Sequence, residues 1–163
     1  MQNTKYHLIA AVLLITVFLY PCDAATPKLH ERVSGKALKI LNNPKYVTLL
    51  ILSQEEGEAG ETPIHEIHLN NIEIERLKRN LLDDHNYDFT QTRHPPFRPE
   101  ISFKFEDGQE QVLHLFVGSH CHQMLFYLPS LSAFVNYTPA QERLEHFFQE
   151  LTAEVMVRNR YSG

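Results

Sequence analysis

"EISFKFEDGQEQVLHLFVGSHCHQMLFYL", residues 100–128, is the stretch on which the fold turns. Ile101, Phe103 and Phe105 alternate with Ser102, Lys104 and Glu106. That two-residue period is the mark of a strand with one buried face. "EQVLHLFV" and "HQMLFYL" follow as two further strands. Asp107-Gly108 marks the first bend. A two-residue turn there would place Phe103 opposite Val112. A three-residue loop, Asp107 to Gln109 with a bulge at glycine, would place Phe103 opposite Leu113 and Ile101 opposite Leu115. The three-residue loop is preferred. It joins Leu113, Leu115 and Val117 to the aromatic stripe, whereas a one-residue slip would send a whole stripe to the other face.

The second bend is "GSHC", residues 118–121. A tight turn centred on Ser119-His120 puts Gly118 opposite Cys121 and Val117 opposite His122. Leu115 then faces Met124 and Leu113 faces Phe126, which extends the same apolar face. His120 falls at the exposed tip and His122 at the rim of the core.

Working outward, Thr26-Pro27 is suited to start a helix, with Thr as N-cap and Pro at the first position. Leu29, Val33, Ala37 and Ile40 continue it at helical spacing until "NNP" at 42–44. "KYVTLLILSQ" (45–54) is apolar on both faces, as a covered strand is. An acidic connection, "EEGEAGET" (55–62), leads to a shorter strand, "PIHEIHL" (63–69), and the two make a hairpin. Asn70 and Glu73 form a capping-box variant ahead of a helix striped by Ile74, Leu77 and Leu81, with Glu75 and Arg79 as an i,i+4 pair. Thr138-Pro139-Ala140-Gln141 supplies N-cap, N1 proline and capping-box glutamine for the last helix. Its stripe is Leu144, Phe147, Phe148, Leu151 and Val155, with His146 on the water side. The expected fold is therefore α+β: an antiparallel sheet of about five strands with helices packed on it, in the order α-β-β-α-β-β-β-α.

Residues 1–24 read as a secretory signal peptide. Lys5 precedes the apolar "HLIAAVLLITVFLY", and Pro21 and Cys22-Asp23-Ala24 lead to a cleavage point before Ala25. Residues 25–163 are then one domain, exported to a periplasmic or extracellular location. The apolar run is shorter than the ~20 residues that span a bilayer. Membrane contact would come only through an uncleaved leader or lipidation at Cys22, and Pro21 stands where a lipoprotein signal wants a small residue. After cleavage Cys121 is the only cysteine, so no internal disulfide is expected. A formal charge of −5 with interspersed signs argues against nucleic acid.

The residues that carry chemistry converge on two places. His120, Cys121 and His122 combine a thiol with two imidazoles, the ligand types that suit zinc or copper. Three consecutive residues cannot all face one ion, so further ligands would come from His94, His85, or one of His65 and His68. A thiol nucleophile would need a helix N-terminus or a fixed base to lower its pKa. The chain has no CxxC, HExxH or GxSxG. The second place is "RHPPFRP" (93–99), where Arg93, His94, Phe97 and Arg98 sit on a proline-stiffened segment that could contact an acidic or carboxylate partner. Asn136-Tyr137-Thr138 is a glycosylation sequon whose threonine also serves as a helix cap.

"HNYDF" (85–89), "PFRPEISFKF" (96–105) and "CHQMLFY" (121–127) resemble small exported bacterial domains of uncharacterised function. In these a proline-entered strand is followed by a cysteine-bearing hairpin corner. The resemblance covers about Asn70 to Tyr127 and implies a layout and export, with no activity attached. It departs at Gly118, where those domains have a first cysteine. The function expected from the sequence is that of an exported small binding domain for a protein or small-molecule ligand, of the inhibitor or immunity type of the cell envelope. Its contact residues would be Arg93, His94, Phe97, Arg98, His120 and His122. The alternative is a zinc- or copper-binding protein using Cys121, His120 and His122.

Overall fold

The computed structural model describes residues 28–53, 62–90, 96–109 and 111–161. The expected signal peptide, the expected Thr26-Pro27 helix cap, most of the acidic connection, Arg93 and His94 lie outside the described residues.

Two short helices open the described chain: α1 (Leu29–Arg32) and α2 (Gly35–Asn42). The continuous helix expected from Leu29 to Ile40 is broken at Val33-Ser34. Ser34 leaves the helical path and uses its side chain to accept from the Ala37 amide, so a new N-cap competes with continuation. The apolar spacing survives the break, because Leu29, Val33, Ala37 and Ile40 are all buried.

β1 (Tyr46–Leu52) and β2 (Pro63–His68) form the expected antiparallel pair. α3 (Asn71–Leu81) begins with the complete capping box, with Asn70 N–H donating to Glu73 Oε2 at 2.7 Å. Glu75 pairs with Lys78 at 2.8 Å, in place of the Arg79 expected from sequence. A 3₁₀ turn (Asp84–Asn86) then leads towards β3 (Ile101–Glu106), β4 (Val112–Gly118), β5 (Gln123–Leu128) and β6 (Leu131–Asn136). α4 (Gln141–Tyr161) closes the chain.

The six strands lie in the order β2-β1-β3-β4-β5-β6, and every neighbouring pair is antiparallel. The sixth strand corrects the expected count of five. Pro129-Ser130 turns the chain so that Leu128 faces Leu131, and Ala133 and Val135 carry the alternation onwards.

One face of the sheet is the core. Leu49, Phe103, Leu115, Phe126 and Ala133 line up across five strands, and Ile51, Ile101, Val117, Met124 and Val135 form the next row. The stripes of α3 and α4 close over them, with Phe148 against Phe103 at a 5.9 Å centroid separation. Fully burying side chains such as Phe103 and Leu115 contributes about 1.5–3 kcal/mol each, which fixes the parity of every strand. The opposite face carries Thr48, Leu50, Ser102, Lys104, His114, Phe116 and Leu125. Leu50 is buried there yet stands outside the core cluster.

Both expected hairpin registers shift by two residues. Phe103 pairs with Leu115 and Phe105 with Leu113; Val117 pairs with Met124 and Gly118 with Gln123. The connections are longer than a tight turn, and Gly108 takes φ 81 in the first of them. A two-residue slip preserves which side chains face inward, so the stripe assignment holds while the partners change. At the start of α4, Thr138 does not act as the cap. Residues 138–140 form a 3₁₀ turn, and the Thr138 hydroxyl donates to Asn136 Oδ1. Asn136 of the sequon is 7 % exposed, an enclosed position for a glycan acceptor. Among the described residues no helix is long and apolar enough to cross a membrane.

Candidate functional site

The corner between β4 and β5 is built from Ser119 to His122. The His122 amide donates to the Ser119 carbonyl at 3.1 Å, closing the turn. His122 itself adopts φ 51, a left-handed conformation that histidine reaches more readily than most side chains. Its main chain is held there because the Tyr137 amide donates to its carbonyl at 2.9 Å.

The polar side chains of the corner are committed to two carboxylates, Glu100 and Glu145. Ser119 Oγ donates to the Glu100 carboxylate, 2.6 Å from both oxygens. His120 projects into solvent, 87 % exposed, with Nε2 3.4 Å from Glu100 Oε1. His122 Nδ1 lies 3.0 Å from Glu145 Oε1 on α4, and its ring meets Tyr137 edge-on. The Tyr137 hydroxyl donates to the Gly118 carbonyl at 3.3 Å, which ties the end of β4 to the segment after β6. Burial pushes the Tyr137 phenol well above its usual range, so it remains a donor.

Cys121 is half-buried, its sulfur lying against Gly118 beside the segment 96–99. A Cβ placed on Gly118 would sit 2.9 Å from Cys121 Sγ, 3.0 Å from Phe97 Cε2 and 3.2 Å from the Arg98 carbonyl oxygen. Only glycine lets these three groups approach the strand so closely. Phe97 also packs edge-to-face on Phe134, with centroids 5.3 Å apart at 84°. Phe97 and Arg98 on one side, and Gly118 and Cys121 on the other, thus form one packed unit although they are about twenty residues apart in sequence. Of the residues singled out from sequence, this brings Phe97, Arg98 and Cys121 together.

The two histidines flanking the thiol are directed elsewhere, His120 to Glu100 and His122 to Glu145. Among the described residues no three His, Cys, Asp or Glu side chains converge as a metal site would require. Burial pushes the Cys121 thiol up, and Glu100 adds to the effect. The amides of Gln123, Arg98 and Cys121 itself are directed at the sulfur and oppose that shift, but burial outweighs them. A catalytic thiol needs the opposite direction.

Glu100, Ser119, Tyr137 and Glu145 take part in this site although none was among the contact or metal residues expected from sequence. Glu145 had a legible signal, since it lies one residue beyond Leu144 on the flank of an amphipathic helix whose buried face was clear. Its pairing with a hairpin corner depends on how the helix crosses the sheet.

A second group lies on the opposite face of the sheet from the helices. Ser102 Oγ and His114 Nδ1 are buried and have no hydrogen-bond partner among the described residues. The His114 ring stacks on Phe116 with centroids 5.7 Å apart. Burial, and then Lys104, hold the His114 imidazole below the ordinary histidine range, with Glu106 opposing.

No protein-family model matches this sequence, and neither the curated proteins nor the solved structures contain a match to it.

Proposed function

We propose that the chain is an exported small binding domain that takes a protein or small-molecule ligand on the surface where residues 96–98 meet the hairpin corner. One observation carries this reading: Phe97 and Arg98 are packed directly against Gly118 and Cys121, so two segments picked out separately for their chemistry form a single surface. Arg98 and His120 are exposed on it and Phe97 is half-buried, a combination of cation, hydrogen-bond donor and aromatic anchor. A fixed corner on a rigid sheet presents such groups at low entropic cost. The reading is that of an inhibitor or immunity-type protein of the cell envelope, working by occlusion in place of turnover.

The test is capture of partners from native cell envelopes by the mature domain, run beside the Arg98→Ala, His120→Ala double variant. A partner retained by the wild type and lost by the double variant is the expected result. Equal retention by both would move the contact surface elsewhere. Elemental analysis of untagged protein tests the competing metal reading. Stoichiometric zinc or copper that disappears in Cys121→Ser would replace ligand binding with metal binding at this corner.

A further inference from the structure

We propose that Glu145 is a positioning residue for the corner: bonded to His122, it holds the left-handed end of the turn and with it the direction in which Ser119 and His120 are presented. The turn is closed by the His122 amide on the Ser119 carbonyl at 3.1 Å, and His122 takes φ 51 where the chain rejoins β5. A glycine would reach that conformation without strain, whereas a residue with a Cβ stays there only when its surroundings hold it. The chain places a ring at this position, and the ring reaches α4. Nδ1 lies 3.0 Å from Glu145 Oε1, with the two side chains 32 % and 26 % exposed, so the bond is largely sheltered from water. A carboxylate only accepts, so Nδ1 carries the proton.

Tyr137 fixes the backbone at both ends of the corner. Its hydroxyl donates to the Gly118 carbonyl at 3.3 Å and its amide to the His122 carbonyl at 2.9 Å. Ser119, His120 and Cys121 span these two anchors. Glu145 is itself well placed to hold a third point, because Leu144 and Phe148 beside it on α4 are buried. Were His122 to relax towards negative φ, the three residues ahead of it would turn with it and His120 would leave Glu100. Contact groups locked by supporting hydrogen bonds bind at lower entropic cost. The role rests on the binding reading for its use, although its main test needs no partner.

The experiment is amide hydrogen exchange of the purified protein, read by NMR at residues 122 and 137 and set beside the urea midpoint. Glu145→Ala should lower protection at both amides at least about ten-fold, the lower end for a hydrogen bond to a charged group, with little change in the midpoint. Glu145→Gln keeps an accepting oxygen and should protect better than the alanine variant. In a His122→Gly background, where the backbone needs no support, Glu145→Ala should change nothing at these amides. If His122→Gly does not fold, His122→Asn tolerates the same conformation with a shorter side chain and serves the same purpose. Nitrogen-15 spectra should show a protonated His122 Nδ1. Unaltered protection in Glu145→Ala, equal protection in the alanine and glutamine variants, an effect that persists without the His122 ring, or a bare Nδ1 would each overturn the role. In envelope capture, Glu145→Ala should retain a wild-type partner at least about three-fold less well, and equal retention would overturn the role too. A wild type that captures no partner while exchange behaves as expected would sink the binding reading alone.

Discussion

Gly118→Ala is the sharpest probe of the corner. The added methyl would lie 2.9 Å from Cys121 Sγ, 3.0 Å from Phe97 Cε2 and 3.2 Å from the Arg98 carbonyl oxygen. The ordinary carbon contact distance is about 3.5–4.0 Å, so all three neighbours must give way. Phe97 can swing outward, the Arg98 carbonyl moves only with its backbone, and Cys121 is held by its own turn. Overpacking of this kind costs about 1–3 kcal/mol. For a domain of this size that corresponds to a fall of about 2–12 °C in Tm. Cys121→Ala removes the closest of the three contacts, so the double variant should recover part of the loss, with a coupling of about 0.5–3 kcal/mol. Thermal unfolding of the four proteins, followed by far-UV circular dichroism, completes the cycle. If Gly118→Ala melts with the wild type, or if Cys121→Ala adds to it without compensation, the packing of Phe97 and Arg98 on the corner is wrong.

Three further outcomes follow from other parts of the fold. Ser102→Ala removes a buried hydroxyl with no partner among the described residues, so urea denaturation should show a gain of about 1 kcal/mol; a loss of that size would mean the hydroxyl is satisfied. Glu73→Ala breaks the capping box of α3 and takes from Arg158 one of its acceptors, the carboxylate that lies 3.2 Å from its Nη2. It should cost about 1–3 kcal/mol, more than Asn70→Ala, and equal losses in the two variants would count against a shared role for Glu73. Because burial holds folded His114 below the ordinary histidine value, the unfolded chain binds a proton at a pH where the folded chain does not. Stability should therefore rise with pH from the folded value up to the unfolded one, and fall on acidification through that interval. Urea midpoints across about pH 5–7 should show this slope, and His114→Gln should flatten it; an unchanged slope would assign the effect to other groups.

Much of the layout is legible in local sequence because its causes are local. The α3 capping box needs only Asn70 and Glu73, and the buried stripe of α4 needs only its own spacing. The inward parity of β3, β4 and β5 follows from alternation, which a two-residue slip cannot change. Other features were present in the sequence but ambiguous. Ser34 restarts a helix whose apolar spacing runs straight through it, and Thr138 resembles a cap although Asn136 engages its hydroxyl. β6 is signalled by Pro129-Ser130 and the alternation of Leu131, Ala133 and Val135, but Phe134 on the opposite face obscures the pattern.

By itself, then, the chain determined which side chains must leave water and with what period, because hydrophobic burial and capping act within a few residues. It also determined that a thiol and two imidazoles would stand at one bend. Only the tertiary structure decided where those groups point. His120 turns to Glu100, His122 to Glu145 and the thiol to the Arg98 backbone, and each partner is at least twenty residues away in sequence. The physical reason is reach. A hydrogen bond or a ring contact requires placement within a few ångströms, and that placement is set by how strands pair and how a helix crosses them, on which local spacing carries no information.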